Sequence, residues 1–456
     1  YFIQMNKRAP GSSVWQASDI PNAQQGGAVW PYIAAGGADG MSLHLITIPF
    51  EGYREIRYSR SQDGGATWDI QDAVIPGLDS LNFSPVPASG YNVTARGNTV
   101  AIALFQEWGD VAMFKSEDNG DTWNGYVVND FPLEKDYVVN TGYDSTIVIP
   151  HKDQPDPLAL FTSDGSGSVL IDHQGKVHVF FANRFVTDAN LTNTTTEYYP
   201  ATGGIPAGND MMGISYWNQD MVGETPVTVA YPTDFDGDGT INISAATPEY
   251  WGNAHVSHPQ AAVDADGNLY LVYAAGAEGF AYNADTLFQH VYVTKSADGG
   301  ANWTPPYDLV NPDILDADLF SIMDAAYPAL AQDVTDRLHI IFQRDFKPNI
   351  FVAVATHGAV DNDILHVSLT PELTLFSATT ELSHTASLKV LPNPFTDVMS
   401  VELKGWQPGQ ATLRLFDAAG KLMTAQEVSV SGAGRFSMPQ TAHLPAGIYW
   451  LQASSE

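Results

Sequence analysis

One octapeptide occurs three times in register, at residues 61–68, 116–123 and 296–303. Ser61, Asp63, Gly65 and Trp68 in the first copy correspond to Ser116, Asp118, Gly120 and Trp123 in the second and to Ser296, Asp298, Gly300 and Trp303 in the third. Each copy follows a β-rich run: Glu55 to Tyr58, Val111 to Phe114 and Val291 to Thr294. Such repetition constrains architecture strongly, because each copy must be one recurring supersecondary unit. The glycine supplies the positive φ of a tight turn, and the Ser and Asp side chains can bond the turn's own amides. The tryptophan, one residue into the next strand, can lay its ring over the corner. The unit reads as a rigid hairpin corner.

Between the corners, further strand pairs surround tight turns: Val29 to Ile48, Tyr91 to Gln106, Ser168 to Asn183, Pro259 to Ala274 and Tyr327 to Gln343. Each has an apolar second strand, as in Val177 to Phe181 and Leu338 to Phe342. With 39 glycines, 28 prolines and 11% aromatic residues, the chain suits many short strands joined by tight turns. The predicted class is all-β.

The octapeptide resembles the Asp-box, or BNR repeat, of sialidase-like β-propellers, S-x-D-x-G-x-T-W, with only Asn302 departing from the threonine. The resemblance implies a propeller whose boxes sit on the turn between the outer two strands of a blade. The first two copies lie 55 residues apart and the third 180 further on, a gap of about three blades, or fewer with an insertion. Phe346 to Phe376 can supply outer strands and closure, and five traced blades plus one composite blade make about six, with five and seven as alternatives. The propeller is assigned to residues 1–377, with an insertion at about 186–252 that opens on a polar tract, Thr187 to Thr196.

That insertion contains Asp234-Phe235-Asp236-Gly237-Asp238-Gly239-Thr240-Ile241-Asn242. Carboxylates at positions 1, 3 and 5 and a glycine at 6 match the start of an EF-hand or dockerin-type calcium loop, with a backbone carbonyl from Thr240 at 7 and Asn242 at 9. The match ends at position 12, which is Ala245; Glu249 is the nearest later acid. The alternative is a Gly/Asp turn in an outer hairpin.

After a linker at 378–387, the chain changes character. From Leu388 onward five bases (Lys389, Lys404, Arg414, Lys421, Arg435) balance five acids (Asp397, Glu402, Asp417, Glu427, Glu456), so the net charge of −32 resides wholly in the preceding residues. Strands are expected at Met399 to Leu403, Thr412 to Phe416 and Phe436 to Met438. The segments Leu391 to Phe395, Leu413 to Lys421 and Leu444 to Tyr449 resemble the type A C-terminal sorting domain of the type IX secretion system. The resemblance implies a small Ig-like β-sandwich over 388–456, the type IX machinery of Bacteroidetes-type bacteria as a partner, and delivery to the cell surface or medium. Members usually continue into a basic final strand, whereas this sequence stops at Glu456. An open edge there would accept a strand such as Tyr1 to Met5 of a neighbouring copy, giving homo-assembly by strand addition.

The acidic surface disfavours nucleic acid and anionic membranes, and no segment approaches a membrane span. The absence of cysteine excludes disulfides and thiol chemistry. A sialidase-like glycosidase needs an arginine cluster, a Tyr/Glu nucleophile pair and an Asp acid. The stretch corresponding to the family's first arginine motif is Val29-Trp30-Pro31-Tyr32, which puts tryptophan in the arginine's place. Arg184 and Arg344 follow inner strands; Arg54, Arg57 and Arg60 are expected to point outward. His255 and His258 read as a strand entry, and Asp313, Asp316, Asp318 and Asp324 as an acidic loop. No catalytic residue is assigned. The expected function is a secreted binding or structural module with a glycan or protein ligand, and the alternatives are an atypical exo-glycoside hydrolase and a calcium-stabilised adhesin.

Overall fold

The computed structural model describes residues 3–8, 13–20, 27–52, 54–88, 90–148, 158–189, 197–199, 203–206, 208, 212–243, 254–283, 286–310, 324–345, 347–348, 362–373, 387–391, 395, 398–404, 409–417, 421–431, 433–445 and 449–455. Backbone contacts divide the chain into two units, Tyr1–Thr374 and Leu375–Glu456.

In the first unit the alternation of apolar strands and Gly/Asp turns produces successive antiparallel meanders. A two-stranded hairpin, β1 (Gln4–Lys7) and β2 (Gln16–Asp19), precedes them. The first sheet is β3 (Ala28–Gly36), β4 (Ser42–Pro49), β5 (Arg57–Ser61) and β6 (Ile70–Val74). The second is β7 (Tyr91–Arg96), β8 (Thr99–Phe105), β9 (Val111–Ser116) and β10 (Asn124–Asn129). The third begins with β11 (Leu160–Ile171) and β12 (Val177–Thr187), against which β13 (Glu197–Tyr199) also pairs. A pair set apart from it joins β14 (Gly203–Pro206) to a later strand; the third sheet is completed by β15 (Gly213–Asn218) and β16 (Val227–Ala230). The partner of β14 is β17 (Thr240–Ile243). The fourth sheet is β18 (Val256–Asp264), β19 (Leu269–Asn283), β20 (Thr286–Ser296) and β21 (Tyr307–Asp308). The fifth comprises β22 (Asp324–Leu330), β24 (Leu338–Asp345) and β25 (Asp363–Leu369), while β23 (Asp333–Val334), in the turn between its first two strands, pairs parallel with β18.

Among the described residues there are thus five propeller sheets where the sequence argues for about six. Asp363–Leu369, in the segment expected to supply outer strands and closure, is the outer, third strand of the fifth sheet. The expected insertion at 186–252 is also shorter, because β15 and β16 are the outer strands of the third sheet. All six residues of β15 are buried, so this segment is core rather than excursion.

Neighbouring sheets stack face to face. Ile46 and Tyr58 of the first pack with Val93, Ile102 and Phe114 of the second. Ala103 and Met113 of the second pack with Val179 and Phe181 of the third, and Phe180 and Tyr216 of the third with Val263 and Leu271 of the fourth. Strands buried on both faces need continuous apolar runs, as in Val100 to Phe105.

Each octapeptide closes the turn between the third and fourth strands of its sheet. In the first, Gly65 N donates to Ser61 Oγ at 2.8 Å, Ser61 Oγ to Asp63 Oδ1 at 2.8 Å and Thr67 Oγ1 to Asp63 Oδ2 at 2.7 Å. The second repeats this with Ser116, Asp118, Gly120 and Thr122. In the third, Asn302 Nδ2 takes over the threonine's bond, donating to Asp298 Oδ2 at 2.7 Å. These bonds hold the Asp118 and Asp298 carboxyls down at about 2, the Thr122 and Asn302 side chains contributing most. Trp123 and Trp303 pack edge-on to Tyr58 and Tyr216; Trp68 is half-buried.

At the end where the inner strands finish, one residue joins three sheets. Gln332 accepts from Thr94 Oγ1 at 2.8 Å, donates to Val169 O at 3.4 Å, and accepts on its own carbonyl from Val263 N at 2.9 Å. Arg96 adds an ion pair to Asp333 and a 2.9 Å bond to Ile171 O. The turn of the fifth sheet therefore ties the second, third and fourth sheets together at this end.

The second unit contains two three-stranded sheets, β26 (Ser387–Leu391), β27 (Met399–Lys404) and β30 (Ala433–Met438), then β29 (Leu422–Val430), β28 (Gly409–Asp417) and β31 (Tyr449–Ser455). They share one core containing Val401, Leu403, Leu413 and Leu415. Of the segment Tyr1 to Met5 named for strand exchange, Gln4 and Met5 belong to β1 and pair with Asp19 and Ser18 of β2; Tyr1 and Phe2 lie outside the described residues.

Candidate functional site

The opposite end of the axis is where the inner strands begin. Trp30-Pro31 in β3, His258-Pro259 in β18 and Tyr327-Pro328 in β22 occupy like positions. Their φ angles are 50°, 54° and 53°, and β11 has Gly165 at 87° in the matching place. In all four strands the pairing register shifts at this point. A non-glycine residue with positive φ is strained, and a following proline narrows its options further. Such strain, on the order of 1–3 kcal/mol per residue, persists where the surroundings over-determine it, commonly at functional sites.

The three side chains are aromatic. His258 and Tyr327 meet with ring centroids 4.9 Å apart. Trp30 is 40% exposed; its carbonyl accepts from Tyr91 Oη at 2.7 Å and the Arg54 guanidinium lies 5.3 Å from its ring. Arg54 was expected to point outward with Arg57 and Arg60, but it stacks on the tryptophan. Arg60 is buried between Asp69 and Asp121, bridging the first and second sheets, and Arg57 pairs with Glu55.

The charged groups around this end are engaged. Arg184 Nη1 reaches Glu107 Oε1 at 2.7 Å, joining the second and third sheets. Burial pushes the Glu107 carboxyl up, against the pull of Arg184. His255 is held down to about 3 by burial and then by the Arg184 charge, so it is neutral. Asp164 accepts from Ser166 Oγ, Ala254 N and Ser257 Oγ at 2.7–2.9 Å, clamping the third sheet to the fourth. Asp324 is buried opposite Asp345 in the β22/β24 register and accepts from Gln289 N at 2.7 Å. Its carboxyl is pushed far up by burial. Arg344 pairs with Asp363. Asp313, Asp316 and Asp318 lie outside the described residues.

The acidic loop folds as a second constellation. Asp234 accepts from Gly237 N and Gly239 N at 2.8 Å each, and Asp238 from Thr240 N at 2.7 Å. The buried Glu278 of β19 accepts from Phe235 N at 3.0 Å, and from Asn242 N and Nδ2 at 2.6 and 2.8 Å. One oxygen each of Asp234, Asp236 and Glu278 lies within 4.8 Å of the others. Of the expected ligand set, Asp234 and Asp236 are brought together, with Glu278 as a third carboxylate. Asp238 is not among the converging carboxylates, Thr240 and Asn242 belong to β17, and Asn242 turns its donors toward Glu278. Glu278, which no local motif marks, supplies the third converging carboxylate; Ala245 and Glu249 lie outside the described residues.

Residues 389–456 match the family of secretion system C-terminal sorting domains. The protein is accordingly exported by the type IX system and attached at the cell surface or released, and its C-terminal unit engages that machinery. No helix of the described residues is long and apolar enough to cross a membrane. No curated protein matches the chain. Among solved structures, it is similar to an α-L-arabinofuranosidase from Clostridium thermocellum (10% identity, 91% of this chain and 97% of that one, TM-score 0.33). It is also similar to a xylan β-1,4-xylosidase from Bacillus halodurans (12%, 87% and 74%, TM-score 0.33) and a Trypanosoma rangeli sialidase (13%, 76% and 48%, TM-score 0.34). Likenesses this distant carry no argument about chemistry.

Proposed function

We propose that the propeller is a non-catalytic carbohydrate-binding module whose ligand enters at the end of the axis where the inner strands begin and stacks on Trp30 and the His258–Tyr327 pair. The observation that carries this reading is the placing of three strained aromatic residues at one register of three inner strands. Aromatic faces offer a sugar ring an apolar platform, with neighbouring polar groups fixing its orientation. Neutral sugars fit better than acidic ones. Arg184 and Arg344 are paired with carboxylates and Arg54 with Trp30, and the chain carries a net charge of −32.

The test is affinity electrophoresis and calorimetry against neutral plant and microbial polysaccharides, with Trp30→Ala and Tyr327→Ala as variants. At least one polysaccharide retards the native protein, and each variant weakens that binding at least tenfold while the melting temperature holds. Indifference of both variants would falsify the reading.

The hydrolase reading rests on Glu107 and Asp324, whose burial favours the protonated state that a general acid needs. Turnover of any member of a fluorogenic glycoside panel, sialosides included, abolished by Asp324→Asn, would establish it in place of the first. A calcium ion at Asp234, Asp236 and Glu278 belongs to either reading as a stabilising ion; it is supported by the convergence of three carboxylates on one small volume.

A further inference from the structure

Away from the axis, two grooves meet on the outside of the second sheet. One, of about 570 Å³, lies between β10 and the loop before β16; its walls include Val127, Phe161, Val222 and Pro226. The other, of about 460 Å³, is lined by Leu81 and Leu133 and by the carboxylates of Asp110, Asp130 and Glu134. Asp130 and Pro132 line both, so the two grooves adjoin as one surface channel, one part with apolar walls and the other lined by three carboxylates and Lys135.

Three independent features bear on its occupant. First, β10 is the outermost strand of its sheet, so one edge of its backbone is unpaired along the groove that Val127, Val128 and Asn129 line. An open edge is a template for another strand. Second, Asn129 is 8% exposed and its Nδ2 is a buried donor without a partner. Leaving a buried donor unmade is costly, and a ligand carbonyl would satisfy it. Third, Val127 and Val222 are 55% and 58% exposed at the rim, and Glu224 adds a carboxylate there. Successive side chains of an extended peptide point to opposite faces, so an alternating peptide can present its apolar residues to one wall of a groove and its charges to the other.

We propose that this channel binds an extended, basic peptide segment that adds as a fifth strand along β10, seating an apolar side chain against Phe161 and Val222 and its cations on Asp130, Glu134 and Glu224. A strand-shaped ligand uses the free edge and the Asn129 donor together, and a basic one complements a surface whose net charge is −32. The site is separate from the axial aromatic site and does not depend on what binds there.

The probe is a fluorescein-labelled, amidated Lys-Leu-Lys-Leu-Lys-Leu peptide, read by fluorescence anisotropy against the full-length protein at low and at 0.15 M salt (roughly the physiological value). The expected dissociation constant is micromolar, weakening with salt. The double variant Asp130→Asn/Glu224→Gln, at two exposed positions, weakens it at least tenfold with an unchanged melting curve. Methylating alternate peptide amides abolishes binding, and hydrogen exchange of Asn124–Asn129 slows when the unmodified peptide is bound. The proposal is overturned by equal affinity for Glu-Leu-Glu-Leu-Glu-Leu, by full affinity of the methylated peptide, by indifference of the double variant, or by no binding at 1 mM (about the weakest affinity of interest). Displacement of the peptide by a neutral xylo-oligosaccharide, with tighter binding of the sugar, would assign the channel to glycans instead.

Discussion

The hydroxyl of Tyr58, in the first sheet, occupies the space that a side chain on Gly120 of the second sheet would fill. Tyr216 stands in the same relation to Gly300, and each tyrosine is held by a histidine, Tyr58 by His44 and Tyr216 by His178, at 2.8 Å in both cases. In the first octapeptide the notch at Gly65 receives Met5 of the N-terminal hairpin. The corners therefore do more than turn the chain: each receives a side chain from an element preceding it in sequence.

Gly120→Ala meets both a φ of 90° and the Tyr58 ring. It should destabilise the protein by roughly 2–4 kcal/mol, combining backbone strain with overpacking. Gly175→Ala, with a φ of 81° and open space beyond, should cost only about 1 kcal/mol. Urea midpoints compare the two, and equal losses would show that the Tyr58 contact contributes nothing.

Burial, reinforced by the charge of Arg60, holds His44 down at about 4, below the 6.5 of an unperturbed imidazole. The unfolded chain then binds a proton that the native state does not. The resulting stability is full above about pH 6.5 and is lost as pH falls from there to about 4, by roughly 2–3 kcal/mol. His44→Gln should flatten the stability profile in that window; a profile unchanged by the substitution refutes the assignment.

Calcium at the acidic loop should raise the melting temperature, with EGTA reversing the gain. Glu278→Gln should abolish the EGTA response as fully as Asp236→Ala does, although Glu278 lies outside the loop motif. A Glu278→Gln protein that still responds would remove this residue from the site.

Gln332→Ala removes two side-chain bonds that link the second and third sheets to the fifth. At about 0.5–1.5 kcal/mol per bond, the expected loss is roughly 1–3 kcal/mol. Gln332→Glu, which keeps the acceptor for Thr94 and loses the donor for Val169, should fall between. Chemical denaturation orders the three proteins, and a different order would mean that the turn is not held by these bonds.

Much of this architecture was legible in the chain. Ser-x-Asp-x-Gly bonding is local, spanning at most a few residues, so the corners at Gly65, Gly120 and Gly300 could be read directly. The C-terminal strands were legible for the same reason, because their alternation is a property of consecutive residues. What sequence alone could not supply depends on contacts across the chain. Glu278 joins the carboxylate set from 36 residues beyond Asn242. Arg54 reaches Trp30 through the fold of the first sheet, and β15 belongs to the third sheet because its partner β12 lies across an intervening excursion. Likewise Gln332 ties three sheets together only because their inner strands converge there. Sequence determined the corners, the strands and the export signal, since these rest on local hydrogen bonding and periodicity. Tertiary structure decided which acids, aromatic rings and strand edge face one another, because those depend on how the sheets are stacked.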